Sequence, residues 1–211
     1  MNTEASNMEA LVYVVDDDTA LAKSVGALVS SLGWRSRTYG SADDFLRSFD
    51  LRQPGCIVLD VRMPGTSGLT LLEQLAKMPL APTVVMMTGF AEVATAVRAM
   101  RHGATDFLQK TCKESELCDA IRRAVARDAE NRLAFVRREK LLDRTQRLKP
   151  AERAVLELLL AGKANKNIAA ELGVSERTVE DRRARVMQKF EVDSLPKLVM
   201  TAIEAGLHPA Y

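Results

Sequence analysis

The side chains of this chain that could do chemistry together are mostly acidic, and they follow short apolar runs. Three consecutive aspartates, Asp16 to Asp18, come directly after the run LVYVV, and Asp60 comes directly after CIVL. Thr88 and Lys110 follow two later apolar runs. Carboxylates that lie close together repel one another unless a cation compensates them. A hard ion such as Mg²⁺ suits oxygen ligands with no His or Cys nearby, and an aspartate in such a pocket can attack a phosphoryl group.

Each of these aspartates also has a simpler interpretation. An aspartate after a strand often does no more than cap a helix or close a turn, so any single one means little. In the stretch IVLDVRMPGTSG, Asp60 could be a reactive carboxylate or only a residue at a strand end. The choice depends on whether the fold brings the acidic residues together.

Short apolar runs alternate with amphipathic helical stretches up to about residue 112. Gly33, Pro64-Gly65 and Gly103 mark turns between them. This alternation is typical of βαβ units around a parallel sheet, and it predicts a (βα)5 domain of the α/β class. The strands are predicted at 11–15, 34–39, 56–59, 83–87 and 106–108, and the helices near 19–32, 42–49, 67–77, 91–102 and from 114 onward.

Ligands of such sheets bind beyond the carboxyl ends of the strands, where the strand order reverses. With the strand order 2-1-3-4-5, the first and third strands are neighbours, so Asp16 and Asp17 converge on Asp60. Thr88 and Lys110 then follow the fourth and fifth strands at the same edge of the sheet. The sequence therefore predicts an acidic pocket with one hydroxyl and one ammonium group.

The C-terminal part of the chain has a different pattern. Residues 114–147 contain no Gly or Pro and carry mixed charges, which predicts that the last helix of the first domain extends into a helical linker. Beyond Pro150, glycines and a proline separate short amphipathic segments and predict a small all-α domain. Its four helices are predicted at 151–161, 165–172, 176–190 and 195–205.

The middle two of these helices have the features of a helix-turn-helix. Gly173 lies at the turn, and Ser175 is placed to cap the second helix. The second helix of such a motif enters the major groove of DNA. A solvated charged helix in a small bundle would also carry basic residues, so the basic residues alone do not separate the two interpretations.

Composition narrows the class of protein. The hydrophobic content of 47% and the charged content of 27% are ordinary for a soluble globular protein. No apolar run reaches the length of about eighteen residues that a membrane span needs, and the N-terminus lacks the pattern of a secretory signal, so we expect a cytoplasmic protein that binds no membrane. The three cysteines, Cys56, Cys112 and Cys118, have no metal-ligand spacing and are expected to be free thiols.

The segments VYVVDDD, IVLDVRMPGTSG, VVMMTG and GATDFLQK resemble the signatures of the response-regulator receiver domain, which has a CheY-like, flavodoxin-like fold. The resemblance implies that Asp60 accepts a phosphoryl group from a sensor histidine kinase. It implies a Mg²⁺ site formed by Asp17 directly, by Asp16 through water, by Asp60, and by the backbone carbonyl of Arg62. It also implies that Thr88 and Lys110 hold the phosphoryl oxygens and that Phe107 is the aromatic residue whose rotation reports phosphorylation.

The segment from Leu148 to Phe190 resembles the LuxR-type DNA-binding domain over nearly its full length. Arg182 stands where that family often has histidine, and Asp181 places an acidic group near the DNA, where it could accept from a cytosine amino group. The apolar face of the last helix could pack on the bundle or mediate dimerisation, with Leu198, Val199 and Ala202 as candidates. By the resemblance, the candidates for phosphate contacts are Lys166, Thr178, Arg182 and Lys189, the base-facing positions are Glu180, Asp181 and Ala184, and Val179 belongs to the same DNA-binding set.

One residue departs from the receiver pattern. The family has a proline after the lysine, usually with a cis peptide bond, whereas this chain has Thr111. A cis bond before a residue other than proline costs about 3–4 kcal/mol, so we expect a trans bond between Lys110 and Thr111. Lys110 could still reach the phosphoryl group because its stem is long, or the loop could move and weaken phosphorylation. We expect phosphorylation to be retained.

The chain is thus identified as a member of the FixJ-like, LuxR-type response regulators, with a receiver at 10–126, a helical linker at 127–146 and the DNA-binding domain at 147–211. The resemblance implies a transcriptional regulator rather than an enzyme, which binds double-stranded promoter DNA and forms a homodimer when phosphorylated. Two alternatives stay open. The receiver could be a phosphorylation-independent dimerisation module, as Thr111 would allow. The chain could also be a magnesium-dependent phosphatase with an aspartyl nucleophile, although such enzymes normally have an acid where Arg62 stands.

Overall fold

The computed structural model describes residues 10–90 and 92–207. These residues form two compact units, of which the first ends at Leu133 and the second begins at Ala134. The strands are β1 (Leu11–Val15), β2 (Arg35–Tyr39), β3 (Gly55–Asp60), β4 (Thr83–Thr88) and β5 (Asp106–Gln109). The helices are α1 (Thr19–Ser31), α2 (Ala42–Ser48), α3 (Gly68–Leu75), α4 (Val93–Arg101), α5 (Glu114–Gln146), α6 (Pro150–Leu160), α7 (Asn165–Leu172), α8 (Glu176–Phe190) and α9 (Leu195–Glu204).

The first unit contains one parallel sheet in the order β2-β1-β3-β4-β5. Every residue of β1, β3 and β4 is buried, as expected of central strands that are covered on both faces. The register pairs Val15 with Leu59, so β1 and β3 finish at the same edge of the sheet. The predicted (βα)5 fold and its strand order are confirmed.

Alternate residues of the strands enter two apolar cores, one on each face of the sheet. Val12 and Val14 belong to the core that α1 and the first turns of α5 cover, together with Trp34. Tyr13 and Val15 belong to the core that α2 and α3 cover, together with Phe45. Both cores hold β1 in a fixed register, and that register determines where its last residues point.

The start of β3 differs from its prediction by one residue because of a glycine. Gly55 has a φ of 147°, and a Cβ atom there would lie 1.9 Å from the carbonyl oxygen of Leu11. Only glycine fits at this position, and it pairs with Leu11 of β1, so the strand begins one residue before its apolar run. At its other end β3 includes Asp60, which was expected to follow the strand.

A buried polar network joins the N-terminal end of β3 to helix α5. The carboxylate of Asp128 accepts a hydrogen bond from the backbone N–H of Gly55 at 2.9 Å and one from the guanidinium of Arg132 at 2.6 Å. Arg132 also donates to the carbonyl oxygens of Leu51, Arg52 and Gln53. Both side chains lie in the segment predicted as a linker, yet they are bound within the first unit.

The second unit is a helical bundle whose core is formed by α6, α7, α8 and α9. Gly173 ends α7 in the left-handed conformation, with a φ of 63°. The hydroxyl of Ser175 accepts a hydrogen bond from the N–H of Thr178 at 3.2 Å and so caps α8. The predicted four-helix domain and its helix-turn-helix are confirmed.

Most element bounds agree with the predicted ones to within one or two residues. Trp34 was expected to start β2 but lies buried just before it. The predicted start of α4 at Ala91 and the last four residues of the predicted DNA-binding domain, 208–211, lie outside the described residues. The predicted domain limits stay a prediction, because the two compact units divide inside α5.

We expect Asp128→Ala to destabilise the first unit by about 3 kcal/mol, because it leaves a buried backbone N–H and part of a half-buried guanidinium without an acceptor. The measurement is urea unfolding of the full chain followed by the fluorescence of Trp34. That residue is the only tryptophan of the chain and lies in the first unit, so its signal reports that unit.

Glu130→Ala is the matched control, because Glu130 lies on the same helix and its side chain is exposed. Its unfolding midpoint should stay within experimental error of the parent value. Equal midpoints for the Asp128 and Glu130 variants would mean that the network contributes nothing to stability.

Candidate functional site

The carboxyl ends of β1 and β3 form an acidic pocket. Asp16 follows β1, Asp60 ends β3, and both are 4% exposed, whereas Asp17 is exposed. Each of the three offers a carboxylate oxygen, and these oxygens lie within 4.8 Å of one another. The predicted convergence of the three aspartates is therefore present in the structure.

Lys110 reaches this pocket from the end of β5. Its ammonium group lies 2.8 Å from a carboxylate oxygen of Asp60 and 2.8 Å from one of Asp16. Its backbone N–H donates to the carbonyl oxygen of Thr88 at 2.7 Å, which fixes the start of the loop after β5. The described residues contain no cis peptide bond, so the bond before Thr111 is trans as expected. Lys110 thus reaches Asp60 without the family's proline.

Burial and charge act in opposite directions on the groups of this pocket. Burial raises the pKa of Asp16 above its ordinary value, and the hydrogen bond from Lys110 opposes that change. For Lys110, burial lowers the pKa, but the hydrogen bonds to Asp16 and Asp60 outweigh it and the pKa is raised. Lys110 is therefore a firmly charged ammonium group held between two carboxylates.

The donor set of the pocket suits a hard divalent cation. It consists of three carboxylates, contains no His or Cys, and is open to water on the side of Asp17. One ammonium group cannot neutralise three carboxylates, so the pocket retains negative charge. The residues therefore fit Mg²⁺, and they fit a carboxylate nucleophile whose developing charge is compensated nearby.

Asp18 is the aspartate of this cluster that caps a helix. Its carboxylate accepts hydrogen bonds from the N–H groups of Ala20 and Leu21 at 3.0 and 3.1 Å, at the first turn of α1. Asp60 does not cap a helix in this way. Its carboxylate accepts from the N–H of Arg62, two residues on, as a turn-closing aspartate does, and it also accepts from Lys110. The simpler interpretation thus accounts for Asp18, whereas for Asp60 it leaves the contact with Lys110 unexplained.

The residues around the pocket couple it to the loop before α4. Thr88 is buried, and its hydroxyl donates to the carbonyl oxygen of Phe90 at 3.0 Å. The guanidinium of Arg62 is 2.8 Å from the carboxylate of Glu92 at the start of α4, a partner that the sequence pattern gave no reason to expect. Phe107 is half-buried against the core beneath α3.

Gly68 lies against the strand end that carries Asp60. A Cβ atom at this position would lie 1.8 Å from the backbone oxygen of Asp60. The N-terminus of α3 therefore packs directly on the backbone of the candidate nucleophile. The glycine that ends IVLDVRMPGTSG is required by this close approach.

The second candidate site is the exposed side of α8 in the helix-turn-helix. Glu180, Asp181 and Ala184 are exposed, and Thr178 and Arg182 are half-buried next to them. Lys166 is exposed near the start of α7. These six residues of the predicted DNA-binding set have side chains that solvent can reach.

Two members of that set are placed differently. The prediction that Val179 contacts DNA is wrong, because its side chain is 0% exposed in the core of the bundle. Lys189 is paired within the chain, since its ammonium group lies 2.6 Å from the carboxylate of Glu152 and also donates to the carbonyl oxygen of Arg147. Glu152 is buried and therefore needs this partner.

The dimerisation prediction for α9 also needs correction. Leu198 and Ala202 are 0% exposed and pack in the core of their own bundle, so they are not available to a second chain. Val199 is half-buried and stays a candidate. The large apolar side chains that α9 exposes are Met200 and Ile203. Of the two roles considered for this apolar face, packing on the bundle is the one in the structure.

Two family models match the chain. Residues 12–122 match the response regulator receiver domain, and residues 146–202 match the luxR family of bacterial regulatory proteins. No helix among the described residues is long and apolar enough to cross a membrane.

Curated relatives match nearly the whole chain. The transcriptional regulatory protein FixJ of Azorhizobium caulinodans is 44% identical over 199 residues, which is 94% of this chain and 94% of that protein. Nodulation protein W of Bradyrhizobium diazoefficiens is 38% identical over 206 residues, which is 98% of this chain and 90% of that protein.

Solved structures agree with these matches. The response regulator StyR is 38% identical, with a TM-score of 0.79, and the match covers 93% of this chain and 99% of that one. Full-length FixJ from B. japonicum is 37% identical, with a TM-score of 0.54 and coverage of 94% and 98%.

Lys189→Met should lower the stability of the second unit at neutral pH, and the loss should shrink in acid. Lys189 holds the pKa of Glu152 below its ordinary value of 4.5, so the pair stabilises the folded unit fully above that pH. This contribution disappears as the pH falls through the lowered native value. Scanning calorimetry of the full chain at pH 7 and near pH 4 measures the difference.

Lys197→Met is the matched control, because Lys197 pairs with Asp193 on the surface of the same unit, where an ion pair contributes little. A pH-independent loss in Lys189→Met, or an equal loss in the control, would contradict the role assigned to the Glu152 pair.

Proposed function

This chain belongs to the FixJ-type response regulators, in which a receiver domain precedes a luxR-family DNA-binding domain, and we propose that Asp60 receives its phosphoryl group. The protein is a phosphorylation-controlled transcriptional regulator, and its partners are a sensor kinase and DNA. The roles of individual residues follow from the two candidate sites. Neither a phosphatase nor a receiver that ignores phosphorylation is favoured by the relatives.

The contact between Asp60 and Lys110 carries the proposal for the phosphoacceptor. The Asp60 carboxylate attacks phosphorus as the bond from phosphorus to the histidine nitrogen of the kinase breaks, and the released imidazole takes up a proton. An oxygen of Asp60 already lies 2.8 Å from the Lys110 ammonium group, which can follow the charge onto the phosphoryl oxygens. The trans bond before Thr111 leaves this contact intact, which supports retained phosphorylation.

Asp16, Asp17 and Asp60 would hold Mg²⁺, with the backbone carbonyl of Arg62 as a further ligand. When bound, the ion neutralises the negative charge of the transferring group and of the carboxylates around it. Asp17 is the exposed member of the set and therefore faces the side from which a hydrated ion enters. Asp16 is buried, as Asp60 is, and its carboxylate also accepts from Lys110.

Thr88 and Phe107 would transmit the change to the surface. The Thr88 hydroxyl donates to the Phe90 carbonyl in the structure, so it must leave this partner in order to donate to a phosphoryl oxygen. The backbone of the loop at Phe90 then loses a hydrogen bond and can rearrange. Phe107 is half-buried on the same side of the sheet and could move inward, which would be a shift between two conformers of the receiver.

We place the DNA on the exposed side of α8. Phosphate contacts would come from both helices of the motif, from Lys166 on α7 and from Thr178 and Arg182 on α8. The base edges would be faced by Glu180, Asp181 and Ala184. Two acidic groups among the base-facing positions would select bases that donate, such as cytosine through its amino group. Promoter DNA lies in the bacterial cytoplasm, so the protein would act there.

A homodimer would form through the exposed apolar side of α4. Val93, Val97 and Met100 are separated by four and three residues, so they lie on one face of the helix, and they are 81%, 45% and 49% exposed. Phe90, the residue that Thr88 holds, is 67% exposed beside them. An apolar face of this kind next to the proposed switch suits a second copy of the receiver.

Incubation of the full chain with acetyl phosphate and Mg²⁺ should add the mass of one phosphoryl group, measured on the intact protein. Asp60→Asn should abolish the gain because it removes the nucleophile, and Lys110→Ala should reduce it at least tenfold because charge compensation is lost. Light scattering of the same samples should detect dimers only where the mass gain is present.

Asp17→Asn and Asp18→Asn form a matched pair of neighbouring substitutions. Asp17→Asn should raise the Mg²⁺ concentration that is needed for half of the mass gain, because it removes a proposed ligand. Asp18→Asn keeps a good helix cap and should behave as the parent chain. A full mass gain in Asp60→Asn would show that another residue is the acceptor.

DNA selected from a random library by the phosphorylated chain should bind more weakly to Arg182→Ala and to Lys166→Ala. Each lost phosphate contact should lower the slope of affinity against salt by about one. Fluorescence anisotropy at several salt concentrations measures both quantities.

Lys197→Ala is the control, because it removes an exposed cation from α9 rather than from the helix-turn-helix. Unchanged affinity in both Arg182→Ala and Lys166→Ala would rule out the placement of DNA on α8.

A further inference from the structure

The C-terminal end of α8 contains an unusual backbone position. Glu191 follows the helix with a φ of 54° and a ψ of 45°, the left-handed conformation that normally favours glycine. Among the described residues, it is the only one other than glycine with a positive φ. The three other left-handed helix ends of this unit carry glycine, at Gly162, Gly173 and Gly206. A side chain other than glycine at this position costs stability, and the contact that the Glu191 carboxylate makes can offset that cost.

That contact is with Arg144, in the last turn of α5. One nitrogen of the Arg144 guanidinium donates to the carbonyl oxygen of Phe190 at 2.7 Å. Another nitrogen forms an ion pair with the carboxylate of Glu191. The Arg144 side chain is 24% exposed, so it is partly shielded from water. A cation bound to the last carbonyl group of a helix also complements the negative end of the helix dipole.

A second cation joins the same two segments. The ammonium group of Lys189 donates to the carbonyl oxygen of Arg147 at 2.9 Å, immediately after the end of α5. Two side chains thus connect residues 144–147 with the last turn of α8. Arg144 donates to the end of α8, and Lys189 of α8 donates to the carbonyl oxygen of Arg147. Both partners lie in the second unit, whose chain begins at Ala134.

We propose that Arg144 is a positioning residue for DNA recognition, which holds the C-terminal end of α8 through Phe190 and Glu191. The proposal rests on the proposed function, because α8 is the helix placed at the DNA. The last turn of α5 is then part of the element that sets the position of α8. A conformational change of α5 that displaces this turn therefore alters the DNA affinity, although it changes no residue that contacts DNA.

The test compares four variants of the phosphorylated full chain on the selected DNA. Arg144→Met should lower the affinity about fivefold to tenfold, and Arg144→Lys, which can keep one of the two contacts, should lose less. The slope of affinity against salt should stay at the parent value, because Arg144 does not neutralise a phosphate. Hydrogen exchange should become faster in the last turn of α8.

Glu191→Gly separates positioning from a merely structural role. Glycine relieves the left-handed backbone, so the melting temperature should stay equal or rise, while the loss of the carboxylate should still lower the DNA affinity. Arg147→Met is the matched control, because Arg147 lies one turn further along the chain and its side chain pairs with Asp143 of α5 rather than with α8. This control should bind DNA as the parent chain does.

Each other outcome overturns the proposal. Parent-like affinity in both Arg144→Met and Glu191→Gly means that DNA binding does not depend on the contact between Arg144 and the end of α8. A salt slope lowered by about one in Arg144→Met means that Arg144 contacts a phosphate directly. If Arg182→Ala loses affinity and the Arg144 variants do not, only the positioning role of Arg144 is wrong. If Arg182→Ala binds DNA as the parent chain does, the proposed DNA-binding surface on α8 is wrong as well.

Discussion

Carboxylates within 4.8 Å of one another repel, and the first unit holds three of them at one edge of its sheet. The rest of that unit supplies what this arrangement needs. Two apolar cores fix the register of β1 and β3, and Gly68 allows α3 to press on the backbone of Asp60. Lys110 supplies one positive charge from β5, which leaves the pocket short of cations. That deficit makes the site receptive to a divalent ion.

In the second unit, the charged side chains of α8 are divided between contacts within the chain and the exposed surface. The helix-turn-helix of this unit is rich in charge, yet Lys189 in the last turn of α8 is paired within the chain with Glu152, and Glu191 just after α8 is paired with Arg144 of α5. The solvent-accessible candidates for DNA contacts lie between Thr178 and Ala184 of α8 and at the start of α7. The division of charge along one helix therefore separates the part that holds the fold from the part that can meet DNA.

The sequence predicts the strands, most helices and the acidic pocket because these depend on local periodicity and on which edge of a parallel sheet a residue follows. It does not predict which side of a short helix faces inward when apolar and charged residues are interspersed. Val179 is therefore assigned to the DNA-binding set by resemblance alone, and the choice between packing and dimerisation for Leu198 and Ala202 stays open until the structure shows them buried. Lys189 and Arg144 were beyond reach for another reason. Their partners lie tens of residues away, and no spacing rule connects them. The trans bond at Thr111 followed from the cost of a cis bond, but the reach of Lys110 required coordinates.

The network of Asp128 and Arg132 also bears on how such a protein could exchange its parts. The receiver limit predicted from the sequence pattern, residue 126, lies before both residues. A recombination event placed at that limit would leave the receiver without the acceptor for Gly55 and the guanidinium that binds the 51–53 carbonyls. A receiver that is to keep its own fold in a new fusion must carry α5 as far as Arg132. The inheritable module is therefore longer than the repeat, and successful chimaeras of this chain should join within α5 beyond that residue.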